Sequence, residues 1–172
     1  MKKLTWSVLL LLLIGCGKNQ KKELAAGIDN QSDYAVEVHM EGDVFRIAQK
    51  NLVALKKKVF TNDTIRLVLW EDGNPFQVNI NFTHADILQK GSATFTIPEV
   101  NDPRTKVELN FFNADRDTDQ KMNKRILFRK GTITVKQLTA QQLQMSFKGE
   151  GAGMMERTEN FAISGELNVK LE

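Results

Sequence analysis

One cysteine, three prolines and two histidines among 172 residues exclude several kinds of protein at once. A lone cysteine cannot close a disulfide within the chain, so this is not a small scaffold held by cross-links. Three prolines and eleven glycines are too few for a collagen-like or proline-rich disordered chain. Two histidines leave little choice of a proton carrier near neutral pH. Charge of one sign is also lacking: 24 basic against 21 acidic residues give +3, which falls to +1 if Lys2 and Lys3 are removed with a leader. Such a chain lacks the clustered cations that phosphate-dominated binding needs, and nucleic acid is not expected as a partner. Length allows about one domain. With 41% hydrophobic and 26% charged residues the chain has enough apolar material for a folded core.

No apolar run reaches the roughly 20 residues that a membrane-spanning helix needs. The longest, Val8 to Ile14, follows Lys2 and Lys3 and ends at Gly15 and Cys16, the three-part layout of an export signal. Leu13-Ile14-Gly15-Cys16 resembles the lipobox of bacterial prolipoproteins. The resemblance implies cleavage after Gly15, a diacylglyceryl group on the Cys16 thiol and acylation of the new amino terminus. At about 0.8 kcal/mol per buried CH₂, two or more acyl chains hold a protein firmly to a bilayer where one would not. Lipid attachment also accounts for an odd cysteine in an exported chain. Residues 1–15 are therefore expected as signal peptide and 16–33 as lipidated terminus and polar tether, with 34–172 as a single β-rich domain. Gly17 follows the cysteine where an aspartate would resemble an inner-membrane retention signal. Lys18-Asn19-Gln20-Lys21 replaces the acidic run that resembles a surface-export signal. Both point to the outer membrane, facing the periplasm.

From Tyr34 onward the dominant period is two, the pattern of half-buried strands. Phe76, Val78, Ile80 and Phe82 alternate with Gln77, Asn79 and Asn81. Similar alternation holds for Ala93, Phe95 and Ile97, for Val107, Leu109 and Phe111, for Ile133 and Val135, and for Leu143, Met145 and Phe147. The last strand carries Phe161, Ile163, Gly165, Leu167, Val169 and Leu171 on one parity, with Gly165 expected to mark a bulge or bend. Turns are expected at Glu41-Gly42-Asp43, Asn62-Asp63, residues 71–75, 98–103 and 149–153. The first two predict hairpins joining Tyr34–Met40 to Val44–Ala48 and Val59–Thr61 to Thr64–Trp70. Helix is limited to one turn near residues 83–90, with Asp86 reaching back toward Thr83. Val68 and Trp70 make the Thr64–Trp70 segment apolar on both faces, which suggests a central strand. The fold class is all-β, an antiparallel sandwich or partly closed barrel.

Residues able to carry chemistry are few. His39 shares a parity with Glu37 and is expected on the solvent side; His84 falls in a loop or helix start. Neither has an evident partner, no Gly-x-Ser-x-Gly or His-Glu-x-x-His is present, and the chain reads as non-catalytic. Asp115, Asp117 and Asp119 suggest calcium, but an EF-hand loop from Asp115 would need Gly and Glu where Gln120 and Ile126 stand. A solvated loop is the preferred reading, and no metal or cofactor is expected. Lys56-Lys57-Lys58 reads as protection of an exposed strand edge. Phe112 and Trp70 are candidates for an apolar patch on a second face, with burial under a loop the preferred reading. Asp63-Thr64-Ile65 resembles the Asp-Ser/Thr-aliphatic O-glycosylation site of Bacteroidota, with Thr64 as the attachment point.

Lipobox, polar tether and a closing Ile163-Ser164-Gly165-Glu166-Leu167 strand together resemble small β-rich lipoproteins of Bacteroidota. That resemblance implies a location and a fold, and no activity. The expectation is a lipid-anchored envelope protein whose partners are the membrane, through Cys16, and an envelope protein, glycan or small ligand. A fold enclosing an apolar ligand is the alternative, and a hydrolase a distant third.

Overall fold

The computed structural model describes residues 33–53, 59–61, 64–83, 86–99, 105–112, 122–154 and 159–171. They lie in one compact unit spanning residues 31–172. The ten strands are β1 (Tyr34–Met40), β2 (Asp43–Ala48), β3 (Val59–Phe60), β4 (Thr64–Trp70), β5 (Phe76–Thr83), β6 (Ala93–Ile97), β7 (Thr105–Phe112), β8 (Met122–Leu138), β9 (Gln142–Gly153) and β10 (Phe161–Lys170). All pairings are antiparallel, in the order β2-β1-β10-β9-β8-β7-β5-β4-β3, with β6 also on β8.

Local chemistry sets the hairpins. β1 and β2 meet across Glu41 and Gly42, both at positive φ (53° and 89°), as the tight two-residue turns that match strand twist require. Between β4 and β5, the Asn74 N–H donates to the Glu71 carbonyl at 3.1 Å, while Asn74 Oδ1 accepts from the Phe76 N–H at 3.0 Å. Thr61 and Thr64 close the β3–β4 hairpin, the Thr61 N–H donating to the Thr64 carbonyl at 2.8 Å. The one-turn helix α1 (Ile87–Lys90) buries Ile87 and ends at Gly91 in the left-handed region. Asp86 does not cap it through its side chain. That carboxylate pairs with Lys90 at 2.5 Å.

One curled sheet forms the domain, a half-barrel and not two sheets stacked face to face. Its far ends approach at one rim. Leu52 bridges to Glu71, the Val53 N–H donates to the Trp70 carbonyl at 3.0 Å, and Asn74 Nδ2 donates to the Arg46 carbonyl at 2.9 Å. The Phe45 and Phe76 rings pack beside this seam, 5.5 Å between centroids. Curling hides one face of most strands from water, and the alternating residues of β1, β4, β5, β7, β8, β9 and β10 merge into one core. Phe76, Phe82 and Phe147 are its largest fully buried side chains, each contributing about 1.5–3 kcal/mol by removal from water.

Three expectations change. Gly165 pairs in unbroken register with Val38 on β1 and Phe147 on β9, so it is not a bulge; a Cβ there would overlap the Phe147 ring, which fills the space the glycine leaves. Residues 149–153 are not a turn but the end of β9, where a Cβ on Gly149 would strike the Lys130 carbonyl of the neighbouring strand. β4 lies between β5 and β3; among the described residues Ile65 and Arg66 pair with β3, while Leu52 and Val53 meet its far end at Glu71 and Trp70. On its second apolar face Val68 lines an outer groove, and the segment through Val53 crosses the end that bears Trp70. The sandwich alternative gives way to the partly closed barrel because the ladder continues without a break.

Candidate functional site

Side chains on the outer face of β4, β5, β7 and β8 fall into three rungs, because cross-strand partners share a face. The registers place Arg66, Asn81 and Lys106 on one rung and Val68, Asn79, Glu108 and Leu127 on the next. Trp70, Gln77, Asn110 and Arg125 make the third. Together they shape a groove of about 570 Å³ that includes Arg66, Val68, Asn79, Asn81, Lys106, Glu108 and Arg125.

At its centre Glu108 is only 3% exposed although its strand parity faces away from the core. One carboxylate oxygen meets Lys106 Nζ; the other accepts from Arg125 Nη2 and, at 3.1 Å, from Arg125 Nε. Burial pushes the carboxyl upward, but the bonds and charges of Lys106 and Arg125 outweigh it and hold it below its ordinary value. Glu108 is therefore a fixed anion at neutral pH and no proton donor. Gln77 Nε2 donates to Asn79 Oδ1 at 2.8 Å, which leaves the Asn79 amide nitrogen as a donor on the groove side. Asn110 is 1% exposed, and among the described residues its Oδ1 accepts no hydrogen bond. Arg66 is exposed, and its guanidinium has no ion pair or side-chain hydrogen bond among the described residues. Three cations face one carboxylate, and donors outnumber acceptors.

A second polar shelf crosses β1, β10 and β9, lined by Tyr34, Glu37, Lys136, Gln144, Ser146, Glu166 and Asn168 around about 350 Å³. Several of its groups pair with neighbours. Glu37 accepts from Arg46 Nε at 2.7 Å and lies 2.8 Å from His39 Nε2; Arg46 sits 5.1 Å from the Tyr34 ring centre. The bond from Arg46, then that from His39, holds the Glu37 carboxyl below its usual value, and the same bond raises Arg46. Gln142 and Gln144 both donate to Asn168 Oδ1, at 3.2 and 3.4 Å. The shelf sets two carboxylates, Glu37 and Glu166, against Lys136, whereas the groove sets three cations against one carboxylate, so the groove is the stronger site for an anion.

Of the residues singled out from sequence, Cys16, His84, Asp63, Lys56, Lys57, Lys58, Asp115, Asp117 and Asp119 lie outside the described residues, as does the Phe112 side chain. His39 stands on the exposed face, as its parity predicts, with Glu37 beside it. Thr64 begins β4, half-buried, its N–H donating to Thr61 Oγ1 at 3.0 Å. Among the described residues no three His, Cys, Asp or Glu side chains converge as metal ligands. Glu108, Arg125 and Arg66 were not indicated by the sequence pattern. The available signal was weak: Lys106-x-Glu108-x-Asn110 puts both charge signs on the polar parity of a core strand, as solvated strands often do. No family model matches the chain, and neither a curated protein nor a solved structure matches it.

Proposed function

We propose that this chain is a lipid-anchored lipoprotein of the cell envelope, held at the outer membrane by acyl groups on Cys16 and facing the periplasm. Its β-domain binds a partner protein, glycan or small ligand and performs no catalysis. The observation that carries the reading is Leu13-Ile14-Gly15-Cys16 directly behind the apolar run from Val8 to Ile14. A thiol in that setting is a lipid attachment point, and an anchored domain acts on what diffuses to it. The groove supports binding over catalysis: its one buried carboxylate is neutralised by two cations and does not stand ready to move a proton. Close packing around Phe82 and Phe147 favours an outer-face ligand over an apolar one held inside.

Metabolic labelling with a palmitate analogue, followed by membrane fractionation, tests the anchor. The wild-type chain is expected in the outer-membrane fraction carrying label, with a mature terminus at Cys16 by mass spectrometry. Cys16→Ala should take no label and leave that fraction. A variant that stays there, or a wild-type chain with an unmodified thiol, overturns the reading.

A further inference from the structure

We propose that the groove on β4, β5, β7 and β8 binds an oxyanion, a carboxylate or phosphate carried by a polar ligand, with Arg66 as its principal contact. This deepens the binding-module reading and rests on it. Three observations carry the assignment. First, charge: Arg66, Lys106 and Arg125 against Glu108 leave two uncompensated positive charges among the groove's side chains. Second, hydrogen-bond polarity: Arg66 offers its whole fork of donors, Asn79 has lost its acceptor to Gln77, and Lys106 keeps donors beyond the one that meets Glu108. A ligand rich in acceptors completes such a surface, and a bidentate guanidinium contact is the geometry that carboxylates and phosphates fit. Third, preorganisation: Glu108 is buried between Lys106 and Arg125 and fixes both cations on adjoining rungs, so they need little ordering when a ligand arrives.

The carboxylate also sets a limit. It cancels one of the three charges, which suits an isolated anionic group better than a polyanion. Val68 gives the groove one apolar contact, room for the carbon face of a sugar or a glycerol unit. The shared chemistry therefore has two envelope sources, an acidic glycan and a phospholipid headgroup.

Titration calorimetry on the full-length acylated protein in detergent micelles tests the assignment with four probes: inorganic phosphate, glycerol phosphate, a galacturonate oligomer and its neutral galactose counterpart. At least one oxyanion is expected to bind, more weakly at higher salt, while the neutral oligomer does not. Arg66→Gln should lower that affinity about tenfold or more, as expected for loss of a charge-assisted bidentate contact. Its thermal midpoint should stay at the wild-type value, because Arg66 is exposed and supports no other side chain among the described residues. Lys148→Gln, elsewhere on the sheet, should change neither quantity. Preference for the galacturonate oligomer assigns the acidic-glycan source; preference for glycerol phosphate assigns the headgroup. Equal binding of the neutral oligomer, an inert Arg66→Gln, or no binding of any oxyanion overturns the proposal. Equal neutral binding would leave the binding-module reading standing, and the Cys16→Ala fractionation decides the anchor independently.

Discussion

Glu108 shows how a buried charge on an outer sheet face ties stability to pH. Its carboxyl titrates below the ordinary 4.5, so the folded state binds a proton less readily than the unfolded chain. The stabilisation is present in full above the unfolded value and disappears as pH falls through the depressed folded value. Melts from pH 7 to pH 3 should show a midpoint that declines below about 4.5. Glu108→Gln should shrink that decline and lower stability at pH 7 by about 1–3 kcal/mol, the cost of leaving charged partners without their acceptor. Glu37 is depressed in the same direction but is more exposed, so the variant should retain a small residual slope. An acid limb unchanged in Glu108→Gln would assign the effect elsewhere.

Strand geometry explains what the alternation in sequence could and could not reveal. β5, β9 and β10 were legible because each keeps one parity for most of its length, and the two-residue turn of Glu41 and Gly42 announced the first hairpin. β8 was not. Its register slips between Phe128 and Lys130 and again between Val135 and Gln137, and each slip inserts one residue and reverses which parity faces the core. Ile126 and Phe128 therefore point inward on even numbers, Ile133 and Val135 on odd, and Leu138 on even again. A pattern reading sees only the Ile133–Val135 fragment of one 17-residue strand. Glycines misled for a related reason, since they mark close approach here as well as turns. Gly165→Ala should cost about 1–3 kcal/mol by overpacking against the Phe147 ring. Combining it with Phe147→Leu should cost less than the two changes added together. A double-mutant cycle in chemical denaturation measures this, and strict additivity would separate the two sites.

For the domain as a unit, the seam decides whether the curled sheet holds its shape. Asn74 serves it twice, donating to the Arg46 carbonyl and accepting from the Phe76 N–H. Asn74→Ala should cost about 1–2 kcal/mol, near the net value of the bonds removed. It should also speed amide exchange in β2 and around residues 52–53 while leaving β9 and β10 protected. Uniform loss of protection would mean that the sheet opens all at once. The candidate site could not be seen from sequence for the same reason that the seam could not. Arg66, Asn79, Glu108 and Arg125 come from four strands, and only their registers bring them together.

β6 and β7 lie end to end along the same side of β8, Ile97 opposite Gly131 and Glu108 opposite Leu127. The Glu99 carboxylate accepts from the Thr105 N–H at 2.9 Å, tying the chain's departure to its return. Glu99 leaves that track and Thr105 rejoins it. Lengthening a detour adds only about 0.6 kcal/mol of closure entropy per doubling. A foreign epitope spliced between Glu99 and Thr105 would leave every strand pairing of the ladder in place, which makes this junction a natural grafting point.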